Sequence, residues 1–236
     1  MAPSPEPQNL LLRVASSVRR PPLARKLQYV SFEAGQQFWS LEKPIPFALF
    51  PLRGIVSLQL PEGAGRLVEV ALVGREGFAG IPLFLGRDDA LMAAMALTRG
   101  EAAIMSPEIF RDYLRNVVFK TEVEKYVQLF IAILAGISLC NRVHDIEQLW
   151  VGRLLLIHDR VQTDSFQITQ GLFSRVLGVR RASLNQVAAR LRSDGVIEYD
   201  HRGWLTIRNR RQLERRACSC YHPIKVFFDQ LMHTLQ

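Results

Sequence analysis

The stretch that most narrows what this chain can fold into runs from Thr169 to Leu191. Thr169 is placed to cap a helix whose apolar face is Leu172, Phe173, Val176 and Leu177. Gly178 follows, where a tight turn between two helices favours a residue that takes positive φ without strain. In the next helix Leu184, Val187, Ala188 and Leu191 obey the i, i+3, i+4, i+7 rule and define a buried face. The opposite face carries Ala182, Asn185, Gln186 and Ala189, with Arg180 and Arg181 at the amino end and Arg190 on the flank. Downstream, 195–199 and 204–207 alternate as strands around Asp200-His201-Arg202-Gly203, a hairpin turning at Arg202-Gly203. Two helices, a glycine turn and a hairpin make a winged helix-turn-helix.

Charge singles out the same region. The chain of 236 residues carries a formal +8, but residues 1–140 hold 15 basic and 13 acidic residues. Residues 160–216 hold 12 arginines against five acids, a surplus of seven in a quarter of the chain. A concentrated basic patch points to a polyanionic partner. Small and amide side chains flanked by arginines suit a helix lying in a major groove. Gln and Asn pair with adenine, Arg with guanine or phosphate, and bulky apolar residues would hold the helix away. Arg180, Arg181 and Gln186 are therefore assigned to base edges, with Ser183 and Asn185 secondary. Thr169, Arg175, Arg190, His201 and Arg202 are assigned to the backbone phosphates, the last two from the wing tip. Any one arginine taken alone reads more readily as ordinary solvated surface than as a base contact.

The rest of the chain has a different texture. Short apolar stretches at 47–50, 54–60, 66–73, 92–98 and 102–105, separated by glycines and prolines, predict an antiparallel roll. Asn9 to Arg20 reads as a short helix stopped at Pro21-Pro22, after a proline-rich opening. Ser106-Pro107-Glu108 starts helical texture that runs to about Val161, with breaks near Asn116 and 141–145. Within it Val123, Val127, Phe130, Leu134, Ile137, Asn141 and His144 fall at 4-3-4-3-4-3 spacing, a seam about three heptads long. That seam predicts a homodimer, with Asn141 at a register-setting position; a helix buried within one chain would show similar residues. The longest charge-free apolar run, 126–141, has 16 residues, short of the about 20 needed to span a membrane. No secretory signal is visible, and three cysteines, an odd number, fit a reducing compartment. A cytoplasmic protein with no membrane partner is expected.

Taken together, these pieces resemble the Crp/Fnr family of bacterial transcriptional regulators. The matching residues are Phe32-Glu33-Ala34-Gly35-Gln36, Val73-Gly74-Arg75-Glu76-Gly77-Phe78-Ala79-Gly80, Leu177-Gly178-Val179-Arg180-Arg181-Ala182-Ser183 and Asp194-Gly195-Val196-Ile197, spread over about residues 25–215. The resemblance implies an α+β chain: an extension at 1–22, a cyclic-nucleotide-binding-like β-roll at 23–115, a dimerisation helix at 116–144, a winged helix at 145–216 and a tail at 217–236. It also implies duplex DNA, a second copy of the chain and RNA polymerase as partners. Gly74, Gly77, Gly80, Ile81, Met92 and Met95 mark the candidate effector pocket. Relatives that bind cyclic AMP place an acid where Ile81 stands and an Arg-Ser or Arg-Thr pair near Ala90-Leu91. Neither replacement can accept from a ribose hydroxyl or neutralise a phosphate, so cyclic AMP is disfavoured. An N-terminal iron–sulfur cluster is disfavoured too, since no cysteine precedes Cys140. Many relatives carry Glu at the position of Ala182; its methyl predicts a site less dependent on G·C there.

Cys218-Ser219-Cys220-Tyr221-His222 offers three soft ligands, but a structural metal site takes four, and the sequence shows no second pair. The thiols are read as part of a packed tail with no metal, and His144 and His158 as seam or core residues. No catalytic triad, metal-hydrolase motif or phosphate loop is present, which argues against an enzyme. The reading is thus a homodimeric, sequence-specific DNA-binding regulator. Its first rival is a ligand-binding module whose basic C-terminal domain contacts a protein or an anionic surface. A nucleotide-using enzyme is the second, with no residue to support it.

Overall fold

The computed structural model describes residues 8–17, 26–63, 66–161 and 163–234. The proline-rich opening at 1–7 and Pro21-Pro22 lie outside them. Helix α1 (Leu10–Ser17) turns Leu10, Leu11, Leu12 and Ala15 inward and packs on the long helix described below. Buried Asn9 caps it: Oδ1 accepts from Leu12 N at 3.2 Å, while Nδ2 donates to Pro51 O at 3.0 Å and Gly77 O at 2.7 Å. What reads as an extension in the sequence is therefore fastened to the roll.

The roll consists of β1 (Gln28–Phe32), β2 (Gln37–Trp39), β3 (Ala48–Arg53), β4 (Val56–Glu62), β5 (Arg66–Val73), β6 (Ala93–Ala96) and β7 (Gly100–Met105). They form two antiparallel sheets, ordered β1-β7-β3 and β2-β6-β4-β5. Short α2 (Ile81–Phe84) and α3 (Pro107–Tyr113) complete it, α3 capped by Ser106 with Pro107 in its first turn as its sequence requires. Between the roll and the long helix lies an aromatic cluster of Phe50, Phe78, Phe110, Phe119 and Tyr126, with ring centroids 5.0–6.3 Å apart. Tyr126 Oη donates to Phe78 O at 3.0 Å, and its ring approaches Gly77 so closely that a Cβ there would fall 1.8 Å from it.

Helix α4 (Val117–Val143), capped by Asn116, is 27 residues long. By length and composition alone it could cross a membrane, a test that the core helix of a soluble protein also passes. Its buried residues, Phe119, Val123, Tyr126, Leu129, Phe130, Ile133 and Ile137, pack within the chain. This splits the expected seam. Val123, Phe130 and Ile137 are no more than 5% exposed and form part of the chain's own core, so they cannot meet a second copy. Val127 and Leu134 are half-buried and Asn141 is exposed. Periodicity could not separate these faces, because Leu129, Ile131 and Ile133 make the helix apolar nearly all round.

The C-terminal part contains α5 (Ile146–Val161), β8 (Ser165–Gln167), α6 (Gln170–Leu177), α7 (Arg181–Ser193), β9 (Ile197–Tyr199), β10 (Trp204–Ile207) and α8 (Arg210–Arg216), followed by α9 (Tyr221–Thr234). The three strands pair antiparallel in the order β8-β10-β9. The tail is packed, as expected: α9 lies on α4 and α5, with Ile224 seated against Gly136, where a Cβ would meet its Cδ1 at 2.8 Å. The same packing brings Cys218 against Cys140 and Cys220 against His144, so the expectation of a tail without a second ligand pair fails.

Two buried ion pairs join α5 to the roll. Arg153 faces Glu69 at 3.3 Å, and Arg160 donates to Glu76 Oε1 at 2.8 Å with both side chains 1% exposed. Ser57 donates to the far oxygen of Glu69 at 3.0 Å. Burial pushes the Glu69 carboxyl up to about 7, against the pull of Arg153, Ser57 and Arg160. An acid whose folded value is raised binds its proton more tightly folded than unfolded. Its stabilising contribution is present at low pH and lost as pH rises through the span from its ordinary value to about 7. Thermal unfolding is expected to show wild type losing stability relative to Glu69→Gln between about pH 5 and about pH 8. A difference that stays flat or grows with pH would contradict this account.

Candidate nucleic-acid interface

The geometry starts at Thr169. Its hydroxyl accepts from Leu172 N at 3.2 Å, and Gly178, at φ 69°, ends α6 in the left-handed conformation. Phe173 and Leu172 are buried under α6, while the Val176 side chain lies outside the description. Arg180 precedes α7 in extended backbone and makes no side-chain cap, which leaves the first N–H groups of a 13-residue helix open to anions. Leu184, Val187, Ala188 and Leu191 are buried, as the apolar spacing requires. Arg181, Ala182, Asn185, Gln186 and Ala189 are exposed together on the other side; Ser183 is half-buried.

The wing is built by a local network. Asp200 Oδ1 accepts from Arg202 N and Trp204 N, both at 2.8 Å, and Gly203 turns at φ 82°. Ile168 N donates to Gly203 O at 2.8 Å, and Gln167 Nε2 to Arg202 O at 3.2 Å. These bonds hold the tip, with exposed His201 and Arg202, beside Thr169 at the start of α6. Thr169, Arg175, Arg180, Arg181, Asn185, Gln186, His201 and Arg202 are thus all exposed on the helix-turn-helix and wing.

Ion pairing sorts the arginines. Arg190 reaches Glu147 of α5 at 3.1 Å, Arg208 pairs with Glu198, Arg210 with Asp159 and Glu214, and Arg216 with Asp194 and Glu147. Among the described residues, no acid faces Arg175, Arg180, Arg181, Arg192 or Arg202 within ion-pair distance. Arg190, expected on a phosphate, is turned toward α5, although an exposed pair of this kind holds it only weakly, about 0–1 kcal/mol. Arg192 was missed. It lies seven residues beyond Asn185 on the same side of α7, exposed and without an acid, and the net charge of the region gave the only hint of it.

The candidate effector pocket does not assemble as one site. Gly80, Ile81 and Met92 line a cleft of about 10 Å³ with Trp39, Ile45, Leu58, Pro82 and Leu91. That is about the space of one water. Trp39, in the lining, donates from Nε1 to Met92 O at 3.1 Å. Gly74 and Gly77 face elsewhere, toward Glu76–Arg160 and Tyr126, and Met95 is half-buried on β6 between β4 and β2. A cleft of about 620 Å³ opens instead between the roll and the winged helix, lined among others by Arg53, Arg75, Arg99, Gln167 and Trp204.

Comparison with known proteins agrees with this geometry. Residues 151–216 match the Crp-like helix-turn-helix domain family. No curated protein sequence matches. Among solved structures, FixK2 from Bradyrhizobium japonicum superposes with a TM-score of 0.65 at 12% identity, over 82% of this chain and 98% of that one. A CRP-family transcriptional regulator from Thermus thermophilus gives 0.62 at 16% identity, over 80% and 96%. The c-di-GMP-responsive global regulator CLP from Xanthomonas campestris gives 0.57 at 15%, over 78% and 94%. Residues 151–216 are therefore a Crp-like helix-turn-helix domain, carried on a chain that has the fold of the Crp/Fnr transcriptional regulators.

Proposed function

We propose that this protein is a sequence-specific DNA-binding regulator of transcription, acting in the cytoplasm as a homodimer on a near-palindromic duplex. The observation that carries the reading is the exposed face of α7. Arg181, Asn185 and Gln186 stand there without bulky neighbours, flanked by Arg180 and Arg192, which no acid among the described residues faces.

For the dimer, the exposed side of α4 supplies a corrected seam. Val127, Leu134 and Asn141 keep their heptad places, and Ile131 and Ser138 replace Phe130 and Ile137, a shift of one residue toward solvent. Ile131 is 59% exposed in the single chain, a large apolar side chain that a second copy of the helix would cover. The roll in this reading does not take cyclic AMP, because Ile81 and Ala90 are buried apolar residues where ribose and phosphate would need polar partners.

Arg181→Ala tests the recognition face. On a duplex selected by the wild type, it is expected to weaken binding by about 1–3 kcal/mol and to relax one base position in each half-site. Equal affinity with unchanged base preference would remove Arg181 from the recognition surface.

A further inference from the structure

Two thiols near the C-terminus acquire two further donors when the chain folds. Cys140 and His144 stand four residues apart at the end of α4, hence on one face of it. The link between α8 and α9 lays Cys218 and Cys220 against them. Cys140 Sγ lies 3.3 Å from Cys218 Sγ, and His144 Nε2 lies 3.3 Å from Cys220 Sγ. All four donor atoms fall within 4.8 Å of one another.

We propose that Cys140, His144, Cys218 and Cys220 form a closed site for a single zinc ion. Three thiolates and one imidazole are a complete donor set for structural zinc, with Zn–S of about 2.3 Å and Zn–N of about 2.0–2.1 Å. A tetrahedron of that size spaces its donors about 3.6–3.8 Å apart. The closest separations here, 3.3 Å, fall a few tenths of an ångström short of that range and the widest about 1 Å beyond it, within reach of small side-chain rotations. An iron–sulfur cluster spreads its ligands around several irons and suits such tight convergence less well. A Cys140–Cys218 disulfide would account for only two of the four groups. Bound zinc with three thiolates carries one negative charge, and Arg153 lines the same cleft as Cys140, Cys218 and Cys220.

The position gives the site a purpose. α4 ends at Val143, with His144 as its C-cap, and α5 begins at Ile146, so the ion would sit at the joint between the long helix and the winged helix. It would tie that joint to the start of α9, fixing the angle at which the C-terminal part leaves α4. The proposal does not depend on DNA binding and stands or falls by the metal.

The test uses full-length protein purified under reducing conditions with zinc and freed of loose metal by dialysis. About one zinc per chain is expected, falling below a tenth in Cys218→Ser/Cys220→Ser that circular dichroism shows to be folded. Replacement of zinc by cobalt(II) in the wild type should give the intense visible bands of a tetrahedral ion with thiolate charge transfer in the near ultraviolet. Should the double variant fail to fold, the cobalt spectrum alone decides. Equal zinc in wild type and folded variant, a pale octahedral cobalt spectrum, or a metal-free wild type with a Cys140–Cys218 disulfide would each overturn the proposal.

Discussion

Arg160→Ala is expected to destabilise the protein by about 3–5 kcal/mol, a large share of the about 5–15 kcal/mol that holds a domain folded. The guanidinium is 1% exposed as a side chain and donates to Glu76 at 2.8 Å and to Leu156 O at 2.9 Å. It also lies over the Phe228 ring, 5.0 Å from the centroid, so one side chain links the roll, α5 and α9. Truncation strips the buried Glu76 carboxylate of the guanidinium that donates to it and leaves Gly74 N, at 3.1 Å, as its hydrogen-bond donor among the described residues. The cost comes mainly from that stranded charge, because forming a buried pair already costs much of what the attraction returns. Arg160→Met with Glu76→Leu should therefore recover most of the loss in urea unfolding. A double variant as unstable as the single one would show that packing, not the stranded carboxylate, sets the penalty.

The second large effect concerns salt. The chain presents Arg175, Arg180, Arg181, Arg192 and Arg202 without an acid partner among the described residues. A dimer that engages most of them displaces about 6–10 phosphate counterions, and affinity should fall about 10³–10⁵-fold between about 50 and 200 mM salt. Arg202→Ala at the wing tip is expected to reduce the slope of log affinity against log salt by about one per protomer, leaving base preference unchanged. A gel-shift or anisotropy series across salt concentrations reads both. An affinity nearly independent of salt would place these arginines off the nucleic acid and favour a protein partner.

Legibility in the sequence followed the range of the interactions. The winged helix was readable because its signals are local: the Thr169 cap, the αL turn at Gly178, the apolar spacing of α7 and the Asp200–Gly203 turn act within a few residues. The seam was readable only as a period. Seven-residue spacing fits Val123-Phe130-Ile137 and Val127-Leu134-Asn141 equally, and only the fold decides which set faces inward. The role of α9 was hidden because its partner, Gly136, lies 88 residues before Ile224. The Cys140–His144–Cys218–Cys220 group was hidden for the same reason, since neither half has enough ligands alone. The effector pocket failed differently. Its glycines serve close approach by Tyr126 and the turn at Gly80, and the sequence alone does not distinguish such glycines from a phosphate cradle.

Selection from a pool of random duplexes by the full-length wild-type protein is the most direct test of sequence-specific recognition by a dimer. Enrichment of a near-palindrome is expected, with half-sites centred about 34–36 Å apart, one helical turn of DNA, so that two copies of α7 enter successive major grooves. Enrichment of no motif, or of a single unpaired half-site bound by one chain, would contradict such recognition.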